Sequence, residues 1–378
     1  MKYRIFPKTG EKISQLGFGA MRLPTLHDGS GKVDRAEAIR LIRHAIDCGV
    51  NYVDTAYVYH DGESEVIVGE ALKDGYREKA FLATKLPLWS ITSEADAEGI
   101  LETQLKRLCT SHIDFYLAHS LDADKWEKFE EHGLFEFLKR KKAEGLIKKI
   151  GFSFHGLTLD LFKEIIDSHD WDFCQIQLNY MDANYQAGVE GLKYSALKGV
   201  PAVIMEPLKG GQLTDFVPDS VKKIWEGTGM DRTPADWAFR WVANFPEVLV
   251  ILSGMHSYKQ LEENLGILSE AGANCLTAEE NRAIEKAAAE YNRLIPYPCT
   301  GCQYCLPCPQ GLNIPERIAE RNEAEIYQSA KKIGFTVRGF VRPLPSACVS
   351  CGECEEKCPQ KLPIPRIMQE CVEMFKIE

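Results

Sequence analysis

Two hydrophobic periodicities alternate along the chain. Short apolar runs stand at 16–19, 51–53, 81–84, 113–117, 147–152, 173–177, 200–204 and 248–252, each about the length of a buried strand. Between them apolar residues recur at helical spacing. The first such segment begins near Asp34, with Glu37 three residues on in the manner of a capping box. It buries Ala38, Leu41, Ile42 and Ala45 on one stripe and ends at Gly49. Further helices are expected over 64–73, from about Ser93 (with Ala97, Ile100, Leu101, Leu105 and Leu108 inward), and over 125–144, 158–168, 188–198, 234–244 and 257–269. Residues 1–15 read as a small hairpin turning at Thr9-Gly10, and Thr277 with Glu280 opens one more helix to about Leu294. Ile295-Pro296-Tyr297-Pro298 breaks that helix, so the boundary between domains 1–295 and 296–378 is placed there.

Eight strands alternating with helices imply an α/β chain whose first domain is a (β/α)8 TIM barrel. A doubly wound open sheet is the alternative, and it calls for Gly-x-Gly-x-x-Gly after an early strand. Gly17-x-Gly19 lacks the third glycine and runs into Met21-Arg22-Leu23 rather than a helix start. Composition adds limits. The 378 residues are 45% hydrophobic and 26% charged, an ordinary globular balance. Net charge is 45 − 55 = −10, which argues against a nucleic-acid surface. No apolar run approaches membrane-spanning length, and Met1-Lys2-Tyr3-Arg4-Ile5-Phe6-Pro7 lacks the apolar core of a signal peptide, so the expected location is the cytoplasm.

The candidate chemistry lies at strand ends. Asp54-Thr55-Ala56-Tyr57-Val58-Tyr59 follows the apolar pair Tyr52-Val53, Lys85 ends the run 81–84, and His119 ends the run 113–118. Parallel barrels place catalytic groups at that end of the sheet. A lone strand-end lysine or histidine more often serves structure. An acid, a phenol, an ammonium and an imidazole on three successive strand ends suit carbonyl reduction. The ammonium stabilises the phenolate and lowers the phenol pKa, the carboxylate keeps the ammonium charged, and a neutral imidazole positions the substrate oxygen. Gly17 and Gly19 would let a ligand approach the backbone. Loops 86–92 and 209–230 are expected to line the substrate pocket.

Thirteen cysteines are unevenly spread. Cys48, Cys109, Cys174 and Cys275 sit in apolar contexts and read as core packing, whereas nine fall in the last 80 residues. Cys348-x2-Cys351-x2-Cys354-x3-Cys358-Pro359 has the bacterial ferredoxin spacing, and Cys299-x2-Cys302-x2-Cys305-x2-Cys308-Pro309 is one residue shorter before its last cysteine. Zinc sites usually pair two Cys-x-x-Cys knuckles, so two 4Fe-4S clusters fit better. A helical stretch over 315–332 separates the runs, and Cys371, on a helix after Pro365, reads as a spare core cysteine. The second domain is thus a small, mainly helical ferredoxin-like iron–sulfur domain.

Asp54, Tyr59, Lys85 and His119, in the frames Asp-Thr-Ala-x-x-Tyr, Thr-Lys and Tyr-Leu-x-His, resemble the catalytic tetrad of the aldo/keto reductase superfamily. The resemblance covers roughly residues 1–275. It implies that Ser153 and Gln175 meet the nicotinamide amide, that Glu263 and Asn264 hold the adenine, and that Gly19 lines the cofactor. Met205 stands where many members carry a stacking aromatic, Phe154 where an asparagine often follows the serine, and Gly254 and Gln260 where a lysine and an arginine grip a 2′-phosphate. NADP and NAD are both left open, with Lys259 or His256 as substitute cations. Dicluster ferredoxins imply crossed ligation: Cys299, Cys302, Cys305 and Cys358 on one cluster, and Cys348, Cys351, Cys354 and Cys308 on the other. A reductase barrel followed by such a module resembles a family of bacterial and archaeal oxidoreductases. The expected function is hydride transfer between a nicotinamide and a small carbonyl or alcohol, with clusters exchanging electrons with an external one-electron carrier. Purely structural clusters, and a non-catalytic nucleotide-binding redox sensor or carrier subunit, are the rival readings. No nucleic acid or membrane partner is expected.

Overall fold

The structure, a computed structural model, describes residues 1–26, 30–299 and 301–377. An antiparallel hairpin, β1 (Tyr3–Ile5) and β2 (Lys12–Ser14), precedes eight parallel strands. These are β3 (Leu16–Gly19), β4 (Tyr52–Asp54), β5 (Phe81–Leu86), β6 (Ile113–Leu121), β7 (Ile147–Phe154), β8 (Phe173–Gln177), β9 (Ala202–Met205) and β10 (Val248–Ser253). They close in sequence order, β10 pairing with both β9 and β3. All eight expected barrel strands are present.

A parallel barrel is covered on both faces, so its strands read as continuous apolar runs. The two-residue period of a strand then divides each run between interior and exterior. Tyr52, Ala83, Phe115, Leu117, Phe173, Val203, Val250 and Leu252 share one cluster with Phe6 and Ile13 of the hairpin. Their neighbours Val53, Leu82, Tyr116, Ala118, Ile150, Phe152, Cys174, Ile176, Ile204 and Ile251 pack with the helices. The interior has room for its rings only because other inward positions are glycine. A Cβ on Gly151 would lie 2.5 Å from the Phe173 ring, and one on Gly17 would lie 2.7 Å from Leu252 and Val250.

Most helix starts fall at the expected caps. The Asp34 side chain accepts from the Glu37 amide, and Thr277 and Glu280 bond reciprocally at 3.1 and 2.6 Å. The single helix expected over 125–144 is two, Ala123–Glu131 and Leu134–Ala143. Gly133 between them takes φ +56°, a left-handed conformation that ends the first helix. The strand expected over 113–117 continues to Leu121, so His119 lies inside β6. Cys174 is buried in the core, and Cys48 and Cys275 pack against it. Cys109 is exposed: it follows the helix Glu94–Arg107 at φ +51°, and its thiol is on the surface rather than in the core.

The chain divides into two compact units, residues 1–210 with 235–281, and residues 211–234 with 282–378. By compactness alone the later division falls at 281/282. The loop expected over 209–230 contains the helices Gln212–Asp215 and Asp219–Glu226, and residues 211–234 belong to the second unit. The helical stretch between the cysteine runs is two helices, Ile314–Ile326 and Ala330–Phe340, parted at Gln328 (φ +46°), and Ile364–Phe375 follows the second run. The sequence repeat is longer than the cysteines alone. Cys308-Pro309-Gln310-x-Leu312-x-Ile314-Pro315 recurs as Cys358-Pro359-Gln360-x-Leu362-x-Ile364-Pro365. Leu312, Ile314, Leu362 and Ile364 are equivalent core residues, and both copies lead into a helix with proline in its first turn. Among the described residues no helix is long and apolar enough to cross a membrane.

The hairpin is tied to the barrel through Arg4. Its guanidinium donates to the carbonyls of Ala243, Phe245 and Val248 at 2.6, 2.7 and 2.5 Å, and to Gln15 Oε1 at 3.0 Å. Burial pulls its pKa down to about 10, so it stays charged at neutral pH. Arg4→Met leaves three carbonyls without their donor and should lower stability by about 2–4 kcal/mol. Urea unfolding against wild type measures this, and a shift within error would mean that water replaces the guanidinium.

Candidate active site and cysteine-lined cavities

Strand register brings the expected residues to one rim of the barrel. Gly19 pairs with Asp54, Asp54 with Ala83, and Lys85 with Leu117, two residues before His119. Ser153 pairs with Gln175, and Gln175 with Val203, two residues before Met205. Every second position faces inward, so these side chains converge inside the C-terminal mouth.

Lys85 is at the centre. It is 1% exposed, and its Nζ donates to Asp54 Oδ1 and Oδ2 at 2.8 and 2.9 Å and to the Thr55 carbonyl at 2.7 Å. Its ammonium lies 4.8 Å from the centre of the Tyr59 ring. Burial disfavours the charged lysine, but Asp54 and Tyr59 outweigh it and hold the ammonium pKa above its ordinary value. Burial pushes the Asp54 carboxyl up, and Lys85 opposes this. The Tyr59 phenol is also raised. Burial dominates, with the Asp54 charge adding to it, while Lys85 pulls the other way. The expected lowering by the ammonium is thus present but outweighed in this pocket, and Tyr59 is a protonated phenol at neutral pH.

His119 is neutral. Burial, then the positive charges of Lys85, His155 and Lys125, hold its pKa well below 6.5. Its ring is 6.3 Å from that of Tyr59 and 5.1 Å from that of Trp89, and its buried Nδ1 has no protein partner. Trp89 comes from the loop expected to line the pocket. The Gln175 amide contacts Met205 Sδ at 3.6 Å, and its buried Oε1 is without a partner. Ser153 Oγ accepts from the Ser120 amide at 2.7 Å. Asn264 sits apart from the tetrad, on the helix after β10, and donates to Ser253 Oγ at 3.1 Å, while Glu263 beside it is half-buried.

Several residues behind the site were not singled out from sequence. Tyr59 rides a loop in which His60, Asp61 and Gly62 take φ of 49°, 55° and 89°. Arg107 braces that loop, donating to the Tyr57 carbonyl and to Glu65 Oε2, both at 3.1 Å. Fully buried Glu65 accepts from Thr84 and Gln104 at 2.7 and 2.8 Å, and Gln104 also donates to the Lys85 carbonyl at 3.0 Å. The available signal was a glutamine on the apolar stripe of Ile100, Leu101 and Leu105. His155 follows Phe154 at the end of β7. Burial, with Lys125 next, pulls its pKa down to about 4.

In the second unit the cysteines gather around two cavities. One is lined by Cys299, Cys302, Cys305 and Cys358, the other by Cys308, Cys348, Cys351 and Cys354 together with Cys305. Among the described residues no three of these sulfurs lie within 4.8 Å of one another. Cys371 is fully buried, as expected.

Residues 15–289 match the aldo/keto reductase family. The chain belongs to that family. Residues 298–362 match the 4Fe-4S dicluster domain, so this aldo/keto reductase carries an iron–sulfur module. It is 26% identical to an L-galactose dehydrogenase of Arabidopsis thaliana over 289 residues, 71% of this chain and 89% of the relative. It is 26% identical over 325 residues to an NADH-specific methylglyoxal reductase of Escherichia coli strain K12, covering 72% of this chain and 96% of that one. Among solved structures, an aldo-keto reductase of Bacillus halodurans in its holo form superposes with a TM-score of 0.61 at 28% identity, covering 76% and 96% of the two chains.

Two neutral imidazoles, the buried His119 and the half-buried His155, make the reductase barrel acid-sensitive. Below 6.5 the unfolded chain protonates His119 and His155 while the folded chain does not, so the unfolded state binds more protons. Stability should be full above 6.5 and fall as pH drops toward about 4. Urea midpoints between about pH 7.5 and about pH 5 test this, and His155→Asn should flatten part of the slope.

Proposed function

We propose that the barrel catalyses hydride transfer between NADP or NAD and a small carbonyl or alcohol, with Tyr59 as proton donor. The observation that carries the reading is the buried Lys85 ammonium, held by Asp54 and Thr55 beneath a protonated phenol and beside a neutral imidazole. The nicotinamide, when bound, supplies or accepts the hydride. In the reducing direction Tyr59 gives its phenolic proton to the carbonyl oxygen, and the product is the alcohol. Lys85 stabilises the phenolate as it forms, Asp54 keeps Lys85 charged and fixed, and His119 directs the substrate oxygen through its ring nitrogen. Ser153 and Gln175 would hold the carboxamide of the cofactor, the free Gln175 Oε1 offering an acceptor. Met205 would pack on the ring, Gly19 would leave the backbone open to it, and Glu263 with Asn264 would hold the adenine. One relative is named as a dehydrogenase and another as a reductase, which supports a carbonyl/alcohol couple for this chain.

We further propose that residues 296–378 hold two 4Fe-4S clusters with crossed ligation, after a barrel domain of residues 1–295. The clusters, when present, supply one-electron exchange with an external carrier. Crossing is supported by the pairing of Cys358 with the first three cysteines of the other run. A purely structural role has its own support, since six ligand cysteines pack in or against the apolar core of the second unit. Thirteen unpaired cysteines suit a reducing compartment, the cytoplasm.

Tyr59→Phe should lower turnover by about 1,000-fold or more and leave nicotinamide affinity within about threefold, because the phenol acts in the transition state. Lys85→Met should cripple turnover similarly. Near-native kcat in Tyr59→Phe, on a substrate that wild type reduces, would refute the assignment. Anaerobic protein should contain about eight irons. Cys358→Ser should damage the cluster held by the first run, and Cys308→Ser the other. Spectra assigning each fourth cysteine to its own run would overturn the crossing.

A further inference from the structure

The barrel carries a side-chain cluster that the chemistry above does not use. His44 lies in the last turn of the helix Arg35–Asp47, and Cys48 caps that helix four residues on, so both point from one face. Glu262 reaches them from the helix Tyr258–Glu270. His44 Nε2 is 2.5 Å from Glu262 Oε1 and 3.8 Å from Cys48 Sγ. Among the described residues this is the one group of three histidine, cysteine or acidic side chains whose ligand atoms all lie within 4.8 Å of one another. The Tyr258 ring packs 5.3 Å from the imidazole and limits its rotation.

A surface ion pair between His44 and Glu262 accounts for two of these groups but not for the thiol aimed at the same nitrogen. We propose that imidazole, thiolate and carboxylate form a binding site for a zinc-class divalent cation. The donor set is one nitrogen, one sulfur and one oxygen, all suited to a borderline-soft ion. Tetrahedral bonds of zinc length separate nitrogen from sulfur by about 3.6 Å and nitrogen from oxygen by about 3.4 Å. The His44–Cys48 spacing already fits, and the carboxylate must withdraw by about 1 Å. Glu262 has that freedom, its side chain being 59% exposed. Water completes the shell on the solvent side, as in open three-ligand sites.

The location gives such an ion a structural consequence. The His44 helix follows β3 and the Glu262 helix follows β10, and β3 and β10 are the strands that close the barrel. An ion shared by these helices staples the closing seam. Binding to the folded chain alone stabilises it by linkage.

Equilibrium dialysis of the anaerobically prepared, cluster-loaded protein against zinc chloride tests this, with zinc and iron measured together. Wild type should take up one zinc with its iron unchanged, and zinc should raise the unfolding temperature of the barrel. His44→Gln and Cys48→Ser should each weaken zinc binding at least tenfold and abolish that shift. Both substitutions are near-isosteric and lie at partly exposed positions, and unchanged iron content and circular dichroism confirm folding. Equal zinc uptake by wild type and the double variant would overturn the proposal. So would iron lost in step with zinc gained, which places the zinc at the cluster cysteines, or no zinc retained at micromolar concentration.

Discussion

An ammonium buried at the mouth of the barrel is the constraint to which the rest of the site is fitted. Lys85 is cut off from water, and an unpaired charge there would cost several kcal/mol, about what burying any single ion does. It is tolerated because two carboxylate oxygens and one carbonyl surround it. Those acceptors come from the end of β4 and the turn beyond, so β4 and β5 must hold one register and Thr55 must turn its carbonyl inward. The shell behind repeats this logic. Gln104 fixes the Lys85 carbonyl, Glu65 fixes Gln104, and Arg107 joins Glu65 to the loop that carries Tyr59. A pair of this kind is weak evidence for stability. Its effect is a fixed electrostatic environment around one phenol.

The opposite end of the barrel solves a different problem with similar groups. Lys149 projects inward from β7 among the rings of Phe6, Phe81 and Phe115, at 5.2, 5.5 and 4.9 Å. It ion-pairs with Glu11 of the hairpin at 2.6 Å. With Arg4 gripping three carbonyls, the hairpin becomes a plug that seals the interior and ties the chain start to its closing strand. Conserving polar chemistry for one rim and stability for the other is the usual division of labour in this architecture.

The second unit has few residues and a core in which cysteines are prominent members. Small units often depend on cross-links that a larger apolar core would make unnecessary. The two Cys-Pro-Gln-x-Leu-x-Ile-Pro segments act as equivalent halves. Each sets a leucine and an isoleucine into the shared core and then starts a helix at its proline. Cavities lined by sulfurs from both halves follow from this arrangement, since each half's last cysteine stands at the start of its own segment.

The sequence alone determined the order of elements, the strand count and the parallel class. These depend on local periodicity and on a fold in which each barrel strand leads through helix to the next. It also singled out Asp54, Tyr59, Lys85 and His119, because their strand-end positions recur in register, and the eight cysteines of the two runs, because their spacing is local. Only the tertiary structure decided what depends on non-local contact. Glu65, Gln104 and Arg107 look like ordinary helix residues until their two helices pack on the barrel. The break at Gly133 rests on one backbone conformation that periodicity does not encode. Burial, and not the neighbouring ammonium, sets the direction of the Tyr59 pKa, since desolvation depends on every surrounding atom. His44, Cys48 and Glu262 meet because the helices that follow β3 and β10 flank the closing seam, and closure of a barrel brings together residues that sequence separation keeps apart.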